Sequence, residues 1–288
     1  MSFRRVAVLN RGDAAMRLLR AVRELAAGGG PELEAVAVFT DPDRDAPFVR
    51  LADDSIGLGP ALVPGRGGAS LPAYCDHDRV IDRLVAAGCD AVWPGWGFVS
   101  EDPDFVERVV DAGMVFIGPP AAAMRTLGDK VRAKRLAEDC GVPLAAWALL
   151  DAEGDGDEWR RAAHDVGYPV MVKAANGGGG RGIRRVDRPE QLVGAVRSVL
   201  AEAGAAFGPG DVFIERCVES ARHVEVQFLV GADGRATTFG VRDCYIQRRH
   251  QKVVEESPSP VLSPVEEAQL TSSTARLAEA AGYRGVGT

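Results

Sequence analysis

Between Arg5 and Ile117, short β-branched runs alternate with helical patterns, and this alternation constrains the fold more than any other feature of the chain. Arg5–Leu9 reads as a buried strand, Asp13–Ala27 as a helix with apolar residues at every third or fourth position, and Ala35–Phe39 as a second strand. Arg79–Ala87 and Asp104–Ala112 carry the helical period, and Ala91–Trp93 and Val115–Ile117 read as strands. Strand, helix, strand repeated in this way calls for a parallel sheet covered by helices on both faces. The first strand-to-helix turn is Asn10-Arg11-Gly12-Asp13. It lacks G-x-G-x-x-G, which argues against a dinucleotide site.

The later chain changes character. Gly128–Cys140 is a helical segment ended by Gly141 and Pro143, and the acidic, glycine-bearing stretch Asp151–Asp157 reads as a solvated loop and domain boundary. Tyr168–Ala174 and Gly182–Val186 are strands flanking a glycine run, Pro189–Ala203 is a helix and Val212–Glu215 a strand. His223–Val230, a turn at Gly231–Gly234 and Ala236–Val241 then read as antiparallel. No internal repeat or low-complexity tract appears.

The 288 residues are 46% hydrophobic and 26% charged, a soluble globular composition with room for about two domains. A formal net charge of -7 with no long Lys/Arg run argues against nucleic acid or an anionic membrane as partner. No stretch approaches the ~20 apolar residues of a membrane span. The opening Met1-Ser2-Phe3-Arg4-Arg5 leads into a run too short for a signal peptide, so the expected compartment is cytoplasmic. Cys75, Cys89, Cys140, Cys217 and Cys244 form no C-x-x-C pair and read as reduced thiols. His77, His164, His223 and His250 have no metal-ligand spacing.

Three segments carry chemistry. In Val170-Met171-Val172-Lys173-Ala174-Ala175-Asn176-Gly177-Gly178-Gly179-Gly180-Arg181-Gly182, a lysine sits inside an apolar strand, where an unpartnered charge is costly. The glycines that follow give a backbone able to approach an anion through its N–H groups. G-x-x-x-x-G-K-[ST] is not met, and Ile183–Val186 reads as a strand, so this is a strand–loop–strand phosphate cover rather than a Walker loop. The bland alternative is a surface hairpin with a snorkelling lysine. Arg248, Arg249, His250 and Lys252 concentrate positive charge suited to phosphate or bicarbonate, or form a solvated basic face balanced by Glu255 and Glu256. In Gly128-Asp129-Lys130, the lysine is either an anion ligand or an ordinary surface residue, and Asp129 suits a helix N-terminus.

Together these segments resemble the biotin carboxylases, members of the ATP-grasp family, nearly end to end. NRGDAAMRLLRAVREL is similar to the family's NRGEIA-type opening, AVWPGWGFVSEDPDF to its HPGYGFLSEN segment, and FIGPPAAAMRTLGDKVRAKRLAEDCGVP to its FIGP…GDK…GVP block. GYPVMVKAANGGGGRGIRRV resembles the glycine-rich lid, and RHVEVQFL with RDCYIQRRHQKVVEESPSP resembles the most diagnostic stretch. The resemblance implies an α/β fold: an N-terminal parallel-sheet (pre-ATP-grasp, Rossmann-like) domain, then an ATP-grasp lid and the start of an antiparallel ATP-grasp domain. Its boundaries would be 1–117, a helical linker 118–144, a lid subdomain 145–216 and a partial C-terminal subdomain 217–288.

By resemblance, Lys130 and Lys173 hold ATP phosphates, Gly178, Gly179 and Gly180 close over them, and Glu215 faces the adenine. His223, Gln247 and His250 line the ribose and phosphates, while Lys252, with Arg248 and His250, handles bicarbonate or carboxyphosphate. The implied reaction is ATP- and bicarbonate-dependent carboxylation of biotin, with Mg2+ as cofactor. The implied partners are a biotinylated carrier domain and a carboxyltransferase component, and the resemblance suggests a homodimer. Trp93 and Trp96 replace the His and Tyr of HPGYG, as in large multidomain acyl-CoA carboxylases. Val241 stands for a Glu, Tyr245 for a Ser and Arg216 for a Lys. The family's metal-binding glutamates, base and biotin-holding arginines are expected beyond Thr288, so no metal ligand is assigned and the isolated chain is expected to be inactive. A carbamoyl-phosphate synthase-like ligase and a non-catalytic nucleotide-binding or docking subunit are the competing readings.

Overall fold

The computed structural model describes residues 3–65, 68–175, 182–207, 210–249 and 251–288. The chain divides into two compact units, Met1–Arg125 with Tyr283–Val286, and Thr126–Gly282 with Gly287–Thr288.

The first unit contains β1 (Arg5–Val8), β2 (Glu34–Phe39) and β3 (Asp54–Gly57), a short hairpin of β4 (Leu62–Pro64) and β5 (Ser70–Pro72), then β6 (Ala91–Trp93) and β7 (Val115–Phe116). Among the described residues, one sheet runs β3-β2-β1-β6-β7 with every neighbouring pair parallel. Its helices are α1 (Gly12–Ala27), α2 (Pro47–Leu51), α3 (His77–Ala86) and α4 (Pro103–Asp111). Successive strand residues point to opposite faces. Ala7, Leu9, Val36, Val38 and Val92 therefore pack with Val80, Leu84, Phe105 and Val109 of α3 and α4. Val8, Ala35, Ala37 and Phe39 pack on the other side with Ala15 and Leu19 of α1 and Phe48 of α2. Burial on both faces explains why β2 reads as a continuous apolar run rather than an alternating one.

In the second unit the helical segment expected over Gly128–Cys140 is present, set off from the helix before it. The helix α5 (Ala121–Gly128) ends, and α6 (Lys130–Asp139) starts again after Asp129. Asp129 has an extended backbone, and its carboxylate accepts from the N–H groups of Val131 and Arg132, an N-cap that restarts the helix. The acidic stretch at 151–157 is likewise only partly loop. Asp155 caps α7 (Gly156–Val166), and the strand β8 (Trp147–Leu150) precedes it.

The strands β9 (Val170–Ala174) and β10 (Ile183–Val186) pair antiparallel, as expected for the segments flanking the glycine run. After α8 (Pro189–Phe207) comes β11 (Val212–Arg216), and the sheet order is β10-β9-β11-β8. One face of this sheet, Val170, Val172, Val212 and Ile214, packs on Trp159 and Ala163 of α7 and Leu192 and Val196 of α8. A further antiparallel sheet contains β12 (Val224–Val230), β13 (Ala236–Arg248) and β14 (Gln251–Glu256). The helix α9 (Pro264–Ala280) follows, started by a capping box in which Ser263 and Glu266 satisfy each other's backbone N–H.

Phe105 is fully buried in the first unit. Phe105→Ala should cost about 3–5 kcal/mol, read as an earlier urea transition of the Met1–Arg125 unit; an unchanged transition contradicts this packing.

Candidate functional site

Two groups of ionic side chains dominate the second unit. The first lies on the face of the β8–β11 sheet turned away from α7 and α8. In β9, Val170, Val172 and Ala174 are buried in the core, which leaves Lys173 on the opposite face. The register sets Lys173 beside Phe213 of β11, and Glu215, two residues on, beside Met171 and Trp147. Lys173, Phe213, Glu215 and Trp147 therefore share one face, and α6 lays Val131 against Phe213 there.

The lysine ammonium of Lys173 bonds Glu215 Oε1, and that of Lys134 bonds Glu215 Oε2 at 2.9 Å. Burial alone would raise the Glu215 carboxyl, but the hydrogen bonds and charges of Lys134 and Lys173 outweigh it and hold it below the usual range. Lys130 occupies the first position of α6, and its Nζ lies 3.5 Å from the Ala174 carbonyl. Its pKa is lowered by burial and then by the nearby Lys173 charge, so these two ammonium groups disfavour each other.

The second group lies on β12–β14. Glu225 and Gln227 alternate with the buried Val226 and Phe228, and Glu225 pairs across the strands with Arg242. Glu225 Oε1 accepts from Arg242 and Oε2 from Lys252, with His223 Nε2 at 3.5 Å. Burial pushes the Glu225 carboxyl up, but the bonds and charges of Lys252 and Arg242 bring it down to about 2. The Glu225 bond raises the Lys252 ammonium. Gln247 stands opposite Lys252 in the β13–β14 register and approaches His223 Nδ1 at 3.1 Å. Just before His223, Arg222 Nε donates to the buried Asp243 at 2.6 Å, which also accepts from Ser259 Oγ at 2.9 Å. The Arg222 guanidinium lies 4.8 Å from the Tyr245 ring, so the tyrosine that replaces serine has a specific contact. Val241 is fully buried, an apolar position in this chain.

Lys130, Lys173 and Glu215 thus come together in one group, and His223, Gln247 and Lys252 in the other. Arg248 is exposed at the end of β13 with no ion-pair partner among the described residues. Gly178, Gly179, Gly180 and His250 lie outside the described residues. Lys134, Glu225 and Arg242 were not singled out from the sequence. Lys134 is signalled only by its i+4 spacing from Lys130, and Glu225 only by its polar place in an alternating strand.

Glu225, Cys244 and Glu255 offer ligand atoms within 4.8 Å of one another. This set does not suit Mg2+, which takes hard oxygen ligands. One donor is a thiol, and both Glu225 oxygens are already bonded by cations.

Residues 2–124 match the model described as "Biotin carboxylase, N-terminal domain", and residues 129–288 the "Carbamoyl-phosphate synthase L chain, ATP binding domain". The chain is 38% identical over 284 residues to the biotin-dependent acyl-coenzyme A carboxylase alpha3 subunit of Mycobacterium leprae (strain TN), covering 99% of this chain and 45% of that protein. It is 39% identical over 284 residues to the biotin carboxylase of Haemophilus influenzae, covering 99% and 60%. The chain belongs to the biotin carboxylase family. The crystal structure of the Campylobacter jejuni biotin carboxylase–β,γ-ATP complex superposes with TM-score 0.85 at 35% identity, over 99% of this chain and 61% of that one. The biotin carboxylase domain of Hydrogenobacter thermophilus 2-oxoglutarate carboxylase, a dimer with MgADP, ADP and bicarbonate, gives 0.83 at 35%, over 99% and 60%. This member of the family spans less than two thirds of the length of these relatives.

A carboxylate held low stabilises the fold above its unfolded value and loses that contribution as pH falls through its folded value. Glu225→Gln should therefore lower stability at neutral pH, and its difference from wild type should shrink as pH falls from about 4.5 toward about 2 in urea titrations. A difference that stays constant down to the acid end would contradict the assignment.

Proposed function

We propose that the chain supplies the ATP- and bicarbonate-handling part of a biotin carboxylase, which carboxylates biotin through carboxyphosphate within a biotin-dependent carboxylase. The observation that carries this reading is the convergence of Lys130 and Lys173 on the end of β9: the two ammonium groups repel each other, and a polyphosphate relieves that repulsion. Here Lys130 and Lys173 bind ATP phosphates, and Glu215 with the backbone after it faces the adenine. His223 and Gln247 line the ribose and phosphates, and Lys252 with Arg248 faces bicarbonate. His250 and Gly178–Gly180 belong to the same assignment by sequence alone. In domain terms, 1–117 is the N-terminal domain, 118–144 the linker, 145–216 the lid and 217–288 part of the C-terminal subdomain.

Bicarbonate is a poor electrophile, and ATP activates it. A bicarbonate oxygen attacks the γ-phosphorus, the bond to the β-phosphate oxygen breaks and ADP leaves. The biotin ureido nitrogen then bonds the carboxyl carbon as that carbon's bond to the phosphate oxygen breaks, and the departing phosphate takes the ureido proton. The protein's part is positioning and neutralisation of anionic oxygens. In this reading Lys252 steadies the carboxyphosphate; its raised ammonium beside Glu225 supports that role. Bound metal would add charge neutralisation on the phosphates; no ligand for it is assigned among the described residues. The acceptor side would be a biotinylated carrier domain and a carboxyltransferase. A homodimer is proposed from the dimeric H. thermophilus domain. A cytoplasmic setting is part of this reading; separately, none of the described helices is long and apolar enough to cross a membrane.

A second reading, a carbamoyl-phosphate synthase-like ligase, draws on the match of residues 129–288 to that ATP-binding domain. Biotin dependence separates the two. The full-length gene product, given Mg2+, bicarbonate and free biotin, should show biotin-stimulated ADP release. Lys252→Ala should reduce it about 10²-fold. ATP binding with no response to biotin would favour the second reading.

A further inference from the structure

The chain's lysines are Lys130, Lys134, Lys173 and Lys252, and every other residue among its 34 Lys+Arg is arginine. Three of these lysines belong to the nucleotide and bicarbonate assignments above, whereas Lys134 has no such role. Its surroundings are nonetheless specific. Lys134 is half-buried one helical turn after Lys130, with only 16% of its side chain exposed. Its ammonium lies 5.6 Å from the Trp147 ring centre and 5.7 Å from that of Phe213. Those two rings meet edge to face, with centres 6.3 Å apart. Trp147 is itself pinned by a 2.7 Å bond from its Nε1 to Glu138 of α6. A compact ammonium on a slim stem fits this box and reaches one carboxylate oxygen, where the broad planar guanidinium used elsewhere in the chain is a different shape.

We propose that Lys134 is a positioning residue for nucleotide binding, acting through Glu215 on Lys173. One carboxylate serves two ammonium groups, so the Lys134–Glu215–Lys173 trio carries a net positive charge. Lys134 also holds one Glu215 oxygen on the α6 side, which leaves Lys173 free to exchange its carboxylate partner for a phosphate. Without Lys134, Glu215 and Lys173 form a neutral, closed pair. An incoming phosphate must then compete with Glu215 for the only ammonium between them. The aromatic walls strengthen this control by covering the pair, whose side chains are only 16% and 18% exposed, which lowers solvent screening of the Lys134–Glu215 bond. Lys134 touches no substrate in this scheme; its effect reaches the nucleotide only through the shared carboxylate.

This inference rests on the ATP-binding reading, and calorimetric titration of ATP into the intact chain separates the two. Wild type that binds no ATP overturns both. Lys134→Met keeps an apolar stem between the rings and removes the charge. It should weaken ATP binding about tenfold, the scale of one charge-assisted hydrogen bond. Lys134→Gln gives the same comparison if the Met variant folds poorly. In a Glu215→Gln background the further change of Lys134→Met should have less than about a twofold effect on ATP binding, because its route of action is gone. An unchanged Kd in Lys134→Met, or the same loss persisting in the Glu215→Gln background, overturns the proposal.

Discussion

A half-buried ammonium group is costly without a counter-charge, and Glu215 supplies one to Lys134 and Lys173 at once. Much of the second unit follows from making that contact possible. The period-two alternation of β9 and β11 sends valines and isoleucine to the core formed with α7 and α8, and leaves Lys173 and Glu215 on the other face. The Asp129 cap restarts the chain as α6, so that Lys130 and Lys134 stand on one side of that helix. Phe213 and Trp147 set their rings beside the Lys134 ammonium and partly shield its contact with Glu215.

The β12–β14 sheet repeats the device with different parts. Glu225 is the shared carboxylate there, with Arg242 on one oxygen and Lys252 on the other. In both places one carboxylate is shared by two cations. The proposed site, which must accept and then release anionic substrates, needs cations held in this shared way. A permanently neutralised pair would bind phosphate poorly, and an uncompensated cluster of lysines would destabilise the fold.

The parallel-sheet half of the fold was legible because its strands are buried on both faces and read as short apolar blocks between helical periods. Lys173 was legible for a related reason: a charge inside an apolar strand demands a partner. The start of α6 was legible, because Asp129 suits a helix N-terminus and the structure makes it the cap; its separation from α5 was not, because both flanking segments have helical composition. The helix α7 was masked by an acidic, glycine-containing start that resembles a loop until Asp155 is recognised as its cap. Lys134, Glu225 and Arg242 carried only weak sequence signals, because the Lys134 partner comes from tertiary packing of α6 and the Glu225–Arg242 pair from strand register. Glu225 and Arg242 are 17 residues apart in the chain, and the β12–β13 register sets them side by side.

The scarcity of lysine makes the central claim directly measurable. Amine-reactive labelling, quantified by mass spectrometry with and without ATP, reports on Lys130, Lys134, Lys173 and Lys252, the chain's complete set of lysine side chains. If the β9 end is the phosphate site organised by Glu215, ATP should slow labelling of Lys130 and Lys173 by about tenfold or more, the occupancy expected when ATP is well above its Kd. Labelling rates at Lys130 and Lys173 that ATP leaves unchanged, under conditions where ATP is bound, would contradict it.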